Sequence, residues 1–428
     1  MAKNTSETRK SIKYSYLNGI TDAVVKALTT GPLLSVYAVG IGMNNLSIGL
    51  LQSVLPFSNL IHLYVAKLLE KGASPRKIAW VSSLLARPFL LLIALSVLFK
   101  GSIIAILLFT IPYILTQVCN SFTSGAFWPW CKAFVPNKLM TSYFAYRTQY
   151  IIATKMITFL IVTGIIYLIH KYKPDFELYS YSIFYIFAFI AGVICTWALY
   201  KIKDVKLNGI PEKTFLTKVK NAFQNKSFCI LFAGIGLANF VLSFYTSFNI
   251  VFLLKNLKIA VPFVMCFTLF SNVVEISIAQ IWKKYSNKRN SSILVATSAI
   301  VFAFSVINFL ILSIYPIQNP LYLTVFLIFT AILCGIGSSG FFIGTNSICV
   351  AYVPEKMSSV YLSLMNIGRF GLNGLGASCA GLLLQFTTNN NYQWVIFFGV
   401  CIILYVITSF FTAQMRPVKH IDNHLTIQ

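Results

Sequence analysis

The sequence predicts an all-α polytopic membrane protein, with twelve transmembrane helices in two pseudo-symmetric six-helix bundles. Three observations carry that prediction. The chain is 57% hydrophobic and only 10% charged, with a mean hydropathy of +0.77, whereas soluble domains carry about 25% charged residues. Its apolar runs lack the alternation of a barrel strand and last about 20 residues, the length of a helix that crosses a bilayer. Finally, CKAFVPNKLMTSY (131–143) and CVAYVPEKMSSVY (349–361) share seven identities or close matches, 218 positions apart in a chain of 428.

The runs place the spans at about 15–39, 46–66, 78–98, 102–130, 141–169, 181–200, 228–253, 259–281, 291–314, 320–348, 357–386 and 391–413. The expected organisation is a tail (1–14), a first bundle (15–200), a basic linker (201–227), a second bundle (228–413) and a tail (414–428). The basic start (Lys3, Arg9, Lys10, Lys13) precedes an apolar run too long for a cleaved signal peptide, so that run is expected to stay as the first span.

The net charge of +24 does not point to nucleic acid, because the basic residues sit between apolar spans and form no stripe with aromatic readers. With alternate loops assigned to opposite sides, 24 of the 34 Lys and Arg fall on the side that holds both termini, and five on the other. The positive-inside rule then places both termini in the cytoplasm. Nine cysteines without C-x-x-C spacing read as small buried apolar residues.

A second internal match supports duplication. SNLIHLYVAKLLEKGASPR (58–76) aligns with SNVVEISIAQIWKKYSNKR (271–289), offset by 213. Pro136 and Pro354 end their spans, because proline disfavours helix in the residue before it. Lys138 and Lys356 follow at the cytoplasmic surface, and Lys71, Arg76, Lys284 and Arg289 mark the paired loops.

Two six-helix halves, a basic central loop and short basic loops after spans two and eight together resemble the major facilitator superfamily. WPWCKAFVPNKLMTSYFAYR (128–147) is also similar to a W-x6-P-x6-Y-F-x2-R pattern of its poorly characterised bacterial members. The matching residues are Trp130, Pro136, Tyr143, Phe144 and Arg147, with Trp130 one place closer. The loop after span two departs from the family's acidic motif, offering only Glu70-Lys71-Gly72 and Arg76-Lys77. The resemblance implies alternating access by two halves about a midplane site. It also implies that spans one, four, seven and ten line the cavity, while two, five, eight and eleven meet between the halves.

Seven charges fall inside spans: Asp22, Lys26, Arg87, Arg147, Lys155, Glu275 and Arg369. Each costs about 3 kcal/mol near the bilayer centre and so needs a reason. Asp22 and Lys26 stand four apart on one helical face, where they either neutralise each other or form a substrate or proton site. Arg147 and Glu275 lie at matching depths, about 12–13 Å in at ~1.5 Å per residue. They are candidate gate residues between the halves, with His62 as a minor one; pairing within each half is the competing reading. Arg369 has Asn366 and Asn373 as neighbours in MNIGRFGLNGLG, a guanidinium and two amides suited to an oxyanion. With Lys155, these are the substrate or coupling candidates. Arg87 reaches midplane depth, in a helix that the family places at the periphery.

GIGSSG (335–340) follows no strand, so its G-x-G-x-x-G reading fails, and no P-loop is present. Four histidines without an acid cluster give no basis for a metal, and no cofactor or enzyme activity is expected. The expected function is secondary active transport of a small polar solute, anionic or zwitterionic, across the inner membrane of a bacterium, by a monomer in the lipid bilayer, with protons as a candidate coupling ion. The alternatives are a lipid or lipid-precursor flippase and a transporter-like receptor without flux.

Overall fold

The computed structural model describes residues 2–205, 223–288, 291–315, 317, 319–351, 358–388 and 392–415. The linker from 206 to 222, Arg289, Pro354, Lys356 and the tail from 416 lie outside the described residues, as do the side chains of Glu70, Lys138, Phe144 and Lys284. Within the first half the helices are α1 (Ala2–Thr29), α2 (Pro32–Gly40), α3 (Asn45–Ser58), α4 (Ile61–Glu70), α5 (Pro75–Leu95), α6 (Ile103–Phe134), α7 (Asn137–Tyr172) and α8 (Glu177–Lys201). The second half contributes α9 (Lys226–Thr246), α10 (Asn249–Lys255), α11 (Val261–Lys288), α12 (Ser291–Ile314), α13 (Pro320–Ala351), α14 (Ser358–Phe386) and α15 (Gln393–Ala413).

Among the described residues twelve helical stretches are long and apolar enough to cross a membrane, from Glu7–Gly40 to Gln393–Ala413, and each coincides with an expected span. Their boundaries follow local chemistry. Asn44, Ser74, Ser102 and Asn225 cap the helices that follow them, their side chains accepting from the N–H groups of Ser47 (2.7 Å), Lys77 (3.1 Å), Ala105 (3.3 Å) and Ser227 (3.0 Å). Ahead of Pro136, Val135 turns extended and ends α6, as the proline rule requires.

Three spans expected to be continuous are broken. The first stops at Gly31, whose φ of +68° suits glycine, and Pro32 starts α2 because it has no N–H to extend α1. The second breaks at Asn59 and Leu60, just after Pro56. The seventh breaks at Ser247 and Phe248, between α9 and α10.

The chain divides into two compact units, Met1–Pro211 with Phe248–Leu269, and Glu212–Ser247 with Phe270–Gln428. The first unit thus takes in α10, which packs on α2, and Lys255 donates to the Met43 carbonyl and to Asn45 Oδ1, both at 3.3 Å. Buried Tyr37 ties this unit together, its hydroxyl meeting Ser96 Oγ (2.9 Å) and Ser182 Oγ (3.0 Å). A second cluster surrounds fully buried Trp130, whose indole N–H donates to the Lys203 carbonyl at 2.9 Å. Tyr143 reaches the Ser15 hydroxyl. In the second unit the rings of Tyr245, Phe302 and Tyr405 pack together, Phe302 and Tyr405 stacking at 5.3 Å.

Duplication is visible in the packing of each unit. In the first, span one packs on spans five and six, and span three on spans four and six. In the second, span seven packs on spans eleven and twelve, and span nine on spans ten and twelve. These are the same four pairings. Large apolar side chains face outward along them, among them Ile103 (67% exposed), Leu160 (58%) and Phe410 (71%). Water would penalise such a surface; lipid tails do not.

Candidate functional site

The first unit encloses a cavity of about 380 Å³. Three residues of α1 at helical spacing, Asn18, Asp22 and Lys26, form one wall. The Lys26 ammonium sits 2.7 Å from the Asp22 carboxylate, with Lys26 50% and Asp22 31% exposed into the open space. That pair satisfies the carboxylate locally, so it does not exhaust the positive charge of the site.

Arg87 approaches from α5 and is only 3% exposed. Its Nη2 donates to Ser83 Oγ at 2.7 Å and its Nε to Thr196 Oγ1 at 3.2 Å. The close approach depends on Gly192 of α8, where a Cβ would stand 2.5 Å from Arg87 Cδ. Arg147 comes from α7, 8% exposed. Its Nη2 donates to Asn18 Oδ1 at 3.4 Å, and its guanidinium lies 4.6 Å from the Phe127 ring centre and 5.6 Å from that of Trp128. Gly19 opens α1 to it: a Cβ there would lie 3.3 Å from Arg147 Cζ. Lys155 completes the charged lining, which holds four cations and one carboxylate. Such a lining attracts anions, the more so because its walls keep the effective dielectric low.

The structure therefore gathers Asp22, Lys26, Arg147 and Lys155 at one cavity and adds Arg87, Asn18 and Asn120. Arg87 is not peripheral, as the resemblance implied: α5 packs against α8, and Gly192 admits the guanidinium. Its charge within an apolar span was the signal that marked it. Asn18 was legible too, one helical step of four before Asp22.

The remaining candidates lie elsewhere. His62 of α4 shares a hydrogen bond of 2.8 Å with Ser124 Oγ, and Ser124 borders the cavity. Arg76 donates to the Tyr200 carbonyl at 2.5 Å and covers the Tyr200 ring, which ties the start of α5 to the end of α8. Lys71 caps α4 at the surface. In the second unit Glu275 accepts from Ser338 Oγ at 3.0 Å. Arg369 donates to Asn346 Oδ1 at 2.8 Å, Asn373 donates to the Asn239 carbonyl at 3.3 Å, and Asn366 is exposed. Arg147 and Glu275 thus each have a partner within their own unit.

Among the described residues no cluster of His, Cys, Asp and Glu has the arrangement of a metal site. No family model and no curated protein matches the chain. Solved structures do. A crystal structure of a mutant of the nucleoside transporter NupG superposes with a TM-score of 0.75 at 15% identity, over 95% of this chain and 99% of that one. A D-xylose-proton symporter gives 0.70 at 11% identity, covering 96% and 98%. A bacterial homologue of the human lysosomal transporter Spinster gives 0.64 at 10% identity, covering 96% and 98%. The chain has the major facilitator fold, and it is a multi-pass membrane protein.

Proposed function

We propose that this protein is a secondary active transporter that moves a small polar solute, anionic or zwitterionic, by alternating access. The observation that carries the reading is the cavity of the first unit, where Arg87, Arg147, Lys26 and Lys155 meet one carboxylate within an apolar bundle. Charges so expensive to insert are retained where they do work. The similar structures are transporters by name, one of them a proton symporter, and the full-length match of fold agrees with that activity. Both termini face the cytoplasm on the charge asymmetry of the loops. Asp22 is the candidate proton carrier: protonating it would break its contact with Lys26 and release that ammonium to the solute.

The test is uptake into proteoliposomes holding the purified chain. A panel of labelled carboxylates, phosphate esters, amino acids and neutral sugars is offered with and without an inward proton gradient. Accumulation of an acidic or zwitterionic solute supports the reading; a gradient-dependent excess adds the coupling ion. Flux of none of the panel, with the protein folded and inserted, contradicts it.

A further inference from the structure

Two buried cations at the cavity are incompletely bonded. Arg87 Nη1 and Arg147 Nε are buried polar atoms without a hydrogen-bond partner among the described residues. Both residues are more than nine-tenths buried and both line the same space. Guanidinium cannot shed its charge at any ordinary pH, so a buried N–H of this kind is satisfied only by an acceptor brought to it. Asp22 is already engaged by Lys26 at 2.7 Å. Arg87 and Arg147 line one cavity, and an oxyanion with two or more acceptor atoms is the group that guanidinium pairs with best.

The rest of the cavity asks for something other than charge. Trp128, 46% exposed, and Ile151 present apolar surface there, and Phe127 lies under the Arg147 guanidinium. A cavity of about 380 Å³ lies within the range of small-molecule sites, about 300–1,000 Å³, and exceeds what an inorganic anion fills. Deepening the transport reading on which it rests, we propose that this site takes an organic oxyanion. Its carboxylate or phosphate monoester group is held by Arg87 and Arg147, and its aromatic body lies against Trp128.

The experiment uses the full chain, purified in detergent, and measures equilibrium binding of four probes: indole-3-acetate, 1-naphthyl phosphate, indole-3-acetamide and inorganic phosphate. At least one of the two aryl anions binds tenfold or more tighter than both the amide and inorganic phosphate. Indole-3-acetate the tighter of the two identifies a carboxylate site, 1-naphthyl phosphate a phosphate-ester site. Arg147→Gln weakens that aryl anion at least tenfold. Trp128→Ala, which removes a half-exposed side chain and so spares the fold, weakens it several-fold without changing inorganic phosphate. Equal binding of acid and amide, equal binding of inorganic phosphate, no binding of either aryl anion, or indifference to both substitutions overturns the proposal. Aryl-anion binding without flux in proteoliposomes would strike the transport reading and leave this site standing. Flux of an amino acid with no aryl-anion binding would do the reverse.

Discussion

The two units share a packing plan and differ in their polar chemistry. His62 hydrogen-bonds Ser124 where α4 meets α6, and Glu275 hydrogen-bonds Ser338 where α11 meets α13. The repeat aligns His62 with Glu275 directly, and the serine that each one meets lies on the fourth span of its own half. Both contacts are made to a serine, by a base in the first unit and by an acid in the second. The cavity residues diverge further. At offsets of 213 to 218, Asp22 faces the uncharged stretch Ile235–Phe240, Arg87 faces Ile300–Ser305, and Arg147, at the offset of its own motif, faces Met365. Packing pairs survive duplication because they depend on small and apolar residues at helical spacing. A charged cavity needs several side chains to converge, and one copy suffices.

That contrast is open to attack by moving residues across it. The largest effect is expected from Arg147→Met, which gives the first unit the residue of its repeat partner. Losing a charged contact in a dry site costs on the order of 3 kcal/mol, so uptake into proteoliposomes should fall about a hundredfold. The thermal midpoint of the purified protein checks that the fold survives. Uptake within a few-fold of the parent would show that the cavity chemistry is not where the transport site lies.

A smaller loss is expected from Gly192→Ala. Its new Cβ would lie 2.5 Å from Arg87 Cδ, so the guanidinium must shift although every charge remains. Overpacking of this kind costs about 1–3 kcal/mol. Solute affinity should drop about tenfold, with a lowered midpoint. An unchanged affinity would mean that the position of Arg87 does not matter to binding.

The smallest effects belong to these two serine contacts. His62→Ala and Glu275→Ala each remove one half-buried hydrogen bond, worth about 1 kcal/mol. Both should lower the thermal midpoint by only about 1–3 °C. Glu275→Gln should cost less still, since its amide oxygen accepts from Ser338 as the carboxylate does. If Glu275→Ala abolished uptake at an unchanged midpoint, that residue would belong to the working site after all.

Much of this was legible before the fold. Spans announce themselves because a bilayer demands about 20 apolar residues in a row. The break at Gly31-Pro32 was written in the sequence, as a glycine followed by a residue that cannot extend a helix. The break at Ser247 and Phe248 carried no such sign, and it places α10 with the first unit. For the site, Asp22 and Lys26 followed from helical spacing. Arg87 was visible as a charge in an apolar run, but its aim was not. That depended on Gly192, more than a hundred residues away, leaving room on α8. Asn346 as the partner of Arg369 was likewise a matter of tertiary packing alone.

The most direct measurement compares the serines of these two contacts. Ser124→Cys and Ser338→Cys are made in the full chain, and each new thiol is titrated with anionic and cationic methanethiosulfonates, the native cysteines' reaction being subtracted. Field focusing in a cation-lined cavity should make Cys at 124 react about tenfold faster with the anionic reagent. Beside Glu275, Cys at 338 should prefer the cationic one. The same preference at both positions would contradict the claim that the cation-lined cavity of the first unit sets the field around Ser124.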